Sequence, residues 1–271
     1  MNIIVLLNHQ YATGKTTATW HLGRKMAEMG KKVLLIDGDP ACGLTRMALG
    51  DRFEDAYRDG RRIDNIKKGV RAAFKGKSEG VKAIDCLPLD NEHRLYLLPG
   101  HENLSEYEPK LREALDDYSP YSMDKDIPGS FYRLFQQCAK AYDIEEVLLD
   151  TGGGLGALNQ IFFSICDNYL VPLRPSSFTP GTLKTLRKAV RRWKREAQDY
   201  RDIFSDSRYP LPRNNAMRFV GYIVRLSEFG VEGEEMRPQL EGPVFPVPHM
   251  SSDEWDKAYE RIAFAALRDE E

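Results

Sequence analysis

Gly14, Lys15 and Thr16 complete a pattern that could hold the phosphates of a nucleotide. The pattern GxxxxGK[ST] falls on residues 9–16, and His9 occupies the position of its first glycine. In such a loop, backbone N–H groups cradle the phosphates, the lysine reaches the β- and γ-phosphates, and the threonine hydroxyl binds Mg²⁺. These residues favour a triphosphate site, with a chance Gly-Lys-Thr at a strand–helix turn as the alternative.

Carboxylates stand where two predicted strands end. Asp37 and Asp39 end the run that follows the first helix, and Asp150 ends a later run. In a parallel sheet, the carboxyl ends of the strands lie on the edge that also carries the phosphate loop. A lone aspartate at a strand end is usually a cap or turn residue, but three carboxylates beside Gly-Lys-Thr predict a metal–phosphate site.

Strands and helices alternate along the chain, which predicts an α/β fold with a mostly parallel, twisted sheet and helices on both faces. We expect one domain over residues 1–271. Short apolar runs predict the strands, and a spacing of three and four predicts the helices. The predicted strands are Ile3–Leu7, Lys32–Asp37, Leu95–Leu98, Glu146–Asp150, Asn168–Leu173 and Phe219–Val224; the predicted helices are Thr16–Met29, 102–118, 129–142 and Ser252–Leu267; residues 51–82 are expected to form short surface helices and loops, and 208–213 and 238–248 surface connections.

Composition narrows the class of protein. The formal net charge is −2, so any nucleic-acid binding needs a local basic patch. Four cysteines stand far apart without a CxxC pair, which favours reduced thiols in a cytosolic protein. The first apolar run is far too short for a membrane span, which needs roughly 20 residues. We therefore expect a cytoplasmic protein.

One predicted helix carries a dense positive stripe. Seven of the twelve residues from Lys184 to Arg195 are basic and none is acidic, while Leu186, Val190 and Trp193 mark an apolar face. The stripe predicts salt-sensitive contact with DNA phosphates, independent of sequence. A solvated face and an acidic protein partner are the alternatives. The basic residues are Lys184, Arg187, Lys188, Arg191, Arg192, Lys194 and Arg195.

Several segments resemble one known family. Residues 33–45, VLLIDGDPACGLT, are similar to the VLLIDxDPQGNLT pattern of the deviant Walker ATPases of the ParA/MinD/Soj type. Residues 95–100, 142–151, 167–175 and 219–224 resemble other segments of the same family, in the same order. The chain is thus identified as a ParA-like P-loop NTPase, and the resemblance runs over nearly its whole length.

The resemblance implies a site for ATP or ADP with Mg²⁺. Lys15 would be the phosphate-binding lysine, and Asp39 would position or activate the attacking water. Thr16 would bind Mg²⁺, while Asp37 and Asp150 would organise the surroundings of the metal. The backbone N–H groups that would hold phosphate oxygens belong to Thr13, Gly14, Lys15, Thr16 and Thr17.

The resemblance also implies a cellular role. Such proteins partition or position a plasmid, a chromosome region or a protein assembly on nucleoid DNA. They act as ATP-dependent homodimers and are stimulated by an adaptor of the ParB kind. Membrane binding is not expected, because the acidic tip at residues 268–271 disfavours an anionic bilayer.

The phosphate loop departs from the family pattern KGGxGK[ST]. Gln10 replaces the signature lysine that crosses to the partner subunit, and Tyr11 and Ala12 replace two glycines. Residues 152–154 are glycines where the family has prolines, and Arg225 replaces an asparagine near the adenine. Tyr11 could stack on the adenine, reach the partner subunit or simply cover the loop.

These departures leave three interpretations of the site. It hydrolyses ATP slowly or with partner stimulation, it takes a cation from Arg174 or Arg225, or it binds nucleotide only as a switch. We favour binding with weak or regulated hydrolysis. The alternatives are a non-hydrolysing scaffold protein on the same fold and, ranked third, an ATP-dependent amide-forming enzyme.

Overall fold

A computed structural model describes residues 1–54, 63–119, 121–174, 179–213, 216–225, 240, 242–247 and 252–267. One eight-stranded sheet has the order β3-β4-β2-β5-β1-β6-β7-β8, and every strand pair except β3–β4 is parallel. Continuous apolar runs form its central strands because both faces are covered. In chain order, β1 to β8 are Asn2–Leu6, Val33–Gly38, Leu87–Pro88, Leu95–Leu98, Glu146–Thr151, Asn168–Leu173, Arg218–Arg225 and Val244–Val247.

Helices cover both faces of the sheet, and each face has its own apolar core. One core joins the sheet to α1, α2 and α8, and the other joins it to α3 through α7. Among the described residues, no helix is long and apolar enough to cross a bilayer. These helices, α1 to α8 in chain order, are Lys15–Glu28, Gly43–Leu49, Ile66–Phe74, Glu108–Asp116, Ile127–Tyr142, Ala157–Ser164, Thr179–Ile203 and Ser252–Leu267, with a 3-10 helix at Glu102–Tyr107.

The predicted α/β class and all six predicted strands are confirmed, within one or two residues at each end. Two edge strands were missed. The surface connection expected at 238–248 is wrong for Val244–Val247, which pairs in parallel with β7. The helix expected over 102–118 divides into a 3-10 turn and α4.

The segment 51–82 is not confined to the surface. Its residues 55–62 lie outside the described part of the chain, but α3 follows and buries one face. Ile66, Val70 and Phe74 recur at a spacing of four and lie in the core. Asn65 begins this helix, since its side chain accepts a hydrogen bond from the N–H of Lys68.

The register of three central strands brings the predicted site residues to one edge. Leu6 of β1 and Asp37 of β2 both pair with Asp150 of β5. The chain then leaves β1 at Leu7 and enters α1 at Lys15. The phosphate loop and both strand-end aspartates therefore lie at the carboxyl edge of the sheet, as the sequence predicts.

Two helical glycines give a matched test of packing. An added Cβ at Gly129 in α5 would overlap the backbone carbonyl of Tyr209, whereas at Gly181 in α7 it would meet nothing within 4 Å. We expect Gly129→Ala to lower the free energy of unfolding by more than about 2 kcal/mol, because backbone cannot yield as a side chain can. Gly181→Ala should be neutral or stabilising by up to about 1 kcal/mol. Urea unfolding measures both, and equal midpoints would contradict this packing.

Candidate phosphate-binding site

The loop between β1 and α1 presents the amino end of α1 toward the carboxyl edge of the sheet. Gly14 precedes the helix with a φ of 88°, in the left-handed region, and no side chain caps the first turn. The first N–H groups of a helix have no partner inside the helix, and its dipole favours an anion there. The geometry therefore suits a phosphate group.

Ala12 follows the backbone path of a glycine. Its φ is 57°, in the left-handed region, although it carries a Cβ. That conformation costs an L-residue roughly 1–2 kcal/mol relative to the right-handed region. The loop thus keeps a glycine-like turn at a position where the family pattern has glycine, at the cost of local strain.

Lys15 points back into the loop. Its side chain is 6% exposed, and Nζ donates a hydrogen bond to the backbone oxygen of Gln10 at 2.9 Å. Burial lowers the pKa of this ammonium, while the nearby carboxylates of Asp150 and Asp39 oppose the shift. The cation therefore lies within the loop, close to the acidic strand ends.

Gln10 hydrogen-bonds within its own chain. Its Nε2 donates to the Thr182 hydroxyl of α7 at 2.7 Å. Its backbone N–H donates to Oδ1 of Asn8, and the Nδ2 of Asn8 donates to the backbone oxygen of Pro172 in β6. The position of the family's signature lysine is thus bonded to α7 of the same subunit.

Asp37 shapes the turn that follows β2. Its Oδ2 accepts hydrogen bonds from the N–H of Thr45 at 2.7 Å and from the Thr45 hydroxyl at 2.6 Å. Its Oδ1 accepts from the N–H of Asp39 at 3.2 Å, and Gly100 donates to the Thr45 hydroxyl oxygen. Burial raises the pKa of Asp37 to about 6. This carboxylate therefore fixes the segment that carries Asp39.

Unsatisfied polar atoms gather around the loop. Asp150 is 0% exposed, and neither carboxylate oxygen makes a complete hydrogen bond with the described residues, although the Thr16 hydroxyl lies beside it. The Nδ1 atom of His9 and the hydroxyl of Thr13 are also buried without a hydrogen-bond partner among the described residues. Burial raises the pKa of Asp150 well above its usual value, and the Thr16 hydroxyl and Lys15 oppose that rise.

Buried polar groups in native proteins nearly always have partners. The orphaned atoms of Asp150, Thr13 and His9 therefore indicate a polar ligand at this edge of the sheet. Mg²⁺ prefers oxygen ligands and is commonly bound by one or two protein groups together with substrate phosphates. Asp150 and the Thr16 hydroxyl beside it fit that chemistry.

A cleft of about 350 Å³ opens beside the loop. Asp39 lies half-buried in its wall, where Oδ1 accepts a hydrogen bond from the N–H of Ala41 at 2.9 Å. An added Cβ at Gly152 would lie 3.2 Å from the same oxygen. The glycine therefore lets the backbone after β5 approach Asp39 closely. The lining residues are Tyr11, Gly38, Asp39, Pro40, Ala41, Ser105, Glu108, Gly152, Gly153, Gly156, Leu158 and Asn159.

The Tyr11 ring covers the glycine segment after β5. A Cβ at Gly153 would lie within 2.6 Å of three ring carbons, so the ring occupies the space that a side chain there would need. Tyr11 is nevertheless 75% exposed. The ring thus lies against residues 152–154, and stacking on an adenine or contact with a partner subunit stays a prediction. Tyr11 and Gly153 both depart from the family pattern, and the two residues lie against each other.

Two further contacts hold this glycine segment, and the sequence did not indicate them. Asn159 Nδ2 donates to the backbone oxygens of Gly152 and Gly154, each at 3.0 Å. The N–H of Gly154 donates to the backbone oxygen of His9 at 2.8 Å, which joins the two loops. These hydrogen bonds therefore tether residues 152–154 to the phosphate loop and to α6.

Arg174 and Arg225 are the two alternative cations that the sequence offers. Arg174 is exposed just after β6, and its backbone oxygen accepts a hydrogen bond from the Thr179 hydroxyl. The side chain of Arg225 lies outside the described part of the structure. The use of either residue as a replacement cation remains an untested prediction.

The basic helix forms as predicted. Its apolar face is buried, with Trp193 0% exposed. Two members of the stripe contact the body of the protein: Arg187 donates to the Tyr222 hydroxyl at 3.2 Å, and Lys194 donates to the backbone oxygen of Met217 at 2.8 Å. Arg192 faces Glu196 at 3.6 Å. The exposed basic residues are Lys184, Lys188, Arg191, Arg192, Lys194 and Arg195.

Comparison with known proteins agrees with this geometry. A family model described as an AAA domain matches residues 1–202, more than half of the chain. A virulence plasmid ParA family protein, pGP5-D, of Chlamydia muridarum is 26% identical over 193 residues, which cover 69% of this chain and 61% of that protein. The chain spans about six tenths of the length of the first curated relatives it matches.

Solved structures share the fold. The protein DIP2308 of Corynebacterium diphtheriae superposes with a TM-score of 0.78 at 19% identity, over 98% of this chain and 99% of that one. Cobyrinic acid a,c-diamide synthase of Mycobacterium smegmatis, with bound ADP and magnesium, superposes with a TM-score of 0.67 at 18% identity, over 99% and 94% of the two chains. These likenesses establish the fold, and in the second case that fold holds a nucleotide with magnesium.

The contact between Tyr11 and Gly153 can be tested against a neighbouring glycine. We expect Gly153→Ala to displace the ring at little cost in stability, because the ring is exposed and can swing away. Gly154→Ala meets nothing within 4 Å but has a φ of 94°, so it should cost about 1 kcal/mol and leave the ring in place. The NMR signal of the ¹³C-labelled Tyr11 ring, assigned with Tyr11→Phe, reports the displacement. An unchanged signal in Gly153→Ala would contradict the contact.

Proposed function

The chain belongs to the AAA domain family, as a ParA-type P-loop ATPase, and from this premise we propose that it binds ATP with Mg²⁺ and acts as a nucleotide-controlled partition or positioning protein. The proposal includes weak or partner-stimulated hydrolysis of ATP to ADP and phosphate. Its main support is the cluster of orphaned buried atoms of Asp150, Thr13 and His9 around Lys15. A phosphate–metal ligand supplies what those atoms lack.

The residues of the site divide the work of phosphate binding. Lys15 supplies positive charge to the phosphates, and N–H groups of residues 13–17 cradle their oxygens. Thr16 and Asp150 would hold Mg²⁺, which when bound would neutralise developing charge on the phosphates. Asp37 keeps the segment after β2 folded, so that Asp39 lies in the cleft where an attacking water would be positioned. Such sites act mainly by positioning and electrostatics.

Slow intrinsic turnover follows from position 10. Gln10 carries no charge, so it cannot neutralise charge in the transition state as a lysine can. Its side chain is also bonded to Thr182 of the same subunit. We therefore propose that rapid hydrolysis needs a cation from a partner or from Arg174.

The wider role follows the family. We propose an ATP-dependent homodimer in the cytoplasm that associates with nucleoid DNA through the exposed stripe of α7, assisted by a ParB-like or other adaptor. The printed name of the chlamydial relative, a ParA family protein of a virulence plasmid, supports partition of a plasmid or similar cargo. DNA is favoured because six exposed basic side chains lie on one helix of a protein with a net charge of −2.

Two alternatives have specific support. The replacements at Gln10 and Tyr11 favour a scaffold protein that binds nucleotide without hydrolysing it. Turnover that a partner stimulates and Lys15→Ala abolishes would exclude that alternative. The name of the mycobacterial neighbour favours an amide-forming enzyme, but the ParA-like segment 33–45 and the chlamydial relative argue against it. ATP consumption that rises with an added carboxylate metabolite would support it.

Nucleotide binding is the first expectation to test. Fluorescent ATP and ADP with Mg²⁺ should bind the wild type with micromolar affinity, and Lys15→Ala should weaken binding at least about tenfold, because charged hydrogen bonds to phosphate are lost. Lys32→Ala is the matched control, since that exposed side chain lies at the far end of β2 and pairs with the exposed Asp143. Wild-type protein that binds neither nucleotide would refute the proposed function.

The basic stripe of α7 predicts that the affinity for DNA falls steeply as the salt concentration rises. Neutralising Lys188 and Arg191 together as glutamines should reduce the slope of log affinity for DNA against log salt by about 2, at about 0.9 for each phosphate contact. The control removes two lysines elsewhere, Lys31→Gln with Lys32→Gln, and should leave the slope unchanged. Measurement by fluorescence anisotropy on unrelated duplexes checks both. Equal slopes in all proteins would assign the stripe to solvent or to a protein partner.

A further inference from the structure

We propose that Gln10 is a positioning residue that couples nucleotide occupancy to the first turns of the basic helix α7. The inference rests on the proposed function, since it concerns how the same nucleotide site regulates the DNA-binding surface. The proposal is based on the contacts of Gln10, which bonds both to the phosphate loop and to α7. The backbone oxygen of Gln10 accepts from Lys15, and its side-chain amide donates to Thr182.

The first half of the coupling is competition for Lys15. In the structure, the ammonium donates to the neutral carbonyl of Gln10 at 2.9 Å. A phosphate oxygen is an anionic acceptor, and hydrogen bonds between charged partners are shorter and stronger than those to a neutral carbonyl. Nucleotide binding therefore draws Lys15 toward phosphate and weakens its bond to Gln10.

The base of the loop stays fixed while this happens. The Asn8 side chain is fully buried and donates to Pro172 of β6, and it also accepts from the N–H of Gln10. Residues 7–8 are therefore held by the sheet. A change at Lys15 is absorbed beyond this point, at Gln10 and the strained Ala12, and not by the strand.

The second half of the coupling is the hydrogen bond to Thr182. Thr182 is buried in the first turn of α7, and Lys184, Arg187 and Lys188 follow it within two turns. The middle of the helix cannot shift easily, because Trp193 is fully buried against Phe163, with 5.8 Å between ring centroids. A displacement of Gln10 therefore shifts the turns of α7 that precede Trp193 and leaves the turns after it in place.

The amide suits this place better than the lysine of the family pattern. Lys15 already brings one buried cation to the backbone of residue 10, and a second ammonium beside it would be repelled and poorly hydrated. Glutamine provides an N–H donor without charge. The replacement that weakens catalysis thus gives the subunit an internal connection from its phosphate loop to its basic stripe.

Hydrogen exchange tests the coupling without requiring DNA. Backbone amides of residues 183–188 are measured with and without saturating Mg²⁺ and a non-hydrolysable ATP analogue. We expect nucleotide to change their exchange about fivefold in the wild type, roughly the effect of one hydrogen bond. Amides of residues 196–203 should not respond. Gln10→Leu and Thr182→Val should abolish the response, and Thr182→Ser should retain it.

Thr185→Val is the matched control. Thr185 is an exposed threonine one turn further along α7, and its hydroxyl donates to the backbone oxygen of Gly181. This variant should respond to nucleotide as the wild type does. Urea unfolding of each variant confirms that it is folded before exchange is compared.

The outcomes distinguish a failure of the coupling from a failure of the proposed nucleotide binding. Nucleotide that binds but leaves residues 183–188 unchanged in the wild type overturns the coupling, as does a Thr182→Val protein that responds normally. In both cases the nucleotide-binding proposal survives. Wild-type protein that fails to bind nucleotide in the fluorescence assay refutes the proposed function, and the coupling with it. A response that depends on Gln10 in a protein that does not bind DNA supports the coupling and refutes the DNA partner.

Discussion

A buried, only partly compensated carboxylate at the carboxyl edge of the sheet is the constraint on which the site depends. Asp150 is fully buried between β1 and β2, and its oxygens lack a complete hydrogen bond among the described residues. Burying a carboxylate costs on the order of several kcal/mol. The Thr16 hydroxyl and the Lys15 ammonium offset only part of that cost, since the pKa of Asp150 stays well above its usual value. Asp37 lies beside it but is satisfied by Thr45, which shows that this edge can satisfy a buried carboxylate when folding requires it. The contrast between the two aspartates is the basis for proposing a ligand at Asp150.

The departures from the family pattern are not scattered losses. Tyr11 lies over Gly153, which has no side chain to obstruct the ring, and Gln10 bonds Thr182 on a helix far along the chain. Ala12 adopts the backbone conformation that its glycine counterpart would adopt freely. A loop that had simply lost its function would not be expected to show matched contacts at successive positions. The loop is therefore better described as rebuilt around an intact Lys15 and Thr16.

The sequence predicts the parts of the molecule that local pattern determines. Continuous apolar runs mark the central strands, and the strand-end aspartates converge because parallel strands share an edge. The strands Leu87–Pro88 and Val244–Val247 were not foreseeable, because two or four residues with a proline show no period. The spacing of apolar residues in Ile66–Phe74 was readable but lay within a strongly charged segment. The bond between Gln10 and Thr182 joins positions 172 residues apart, and no local pattern contains it.

The residue at position 10 determines whether the loop presents a charge to a partner subunit or a hydrogen bond to its own chain. A lysine there would carry its charge outward to a partner, so catalysis and dimerisation would be linked through one side chain. The glutamine instead directs its hydrogen bond inward to α7, the helix that carries the basic stripe from Lys184 to Arg195. Under the proposed coupling, sensing of nucleotide would require only one subunit, whereas under the proposed function fast hydrolysis would require a cation from outside the loop. The proposals therefore separate two steps that one lysine unites in the family pattern.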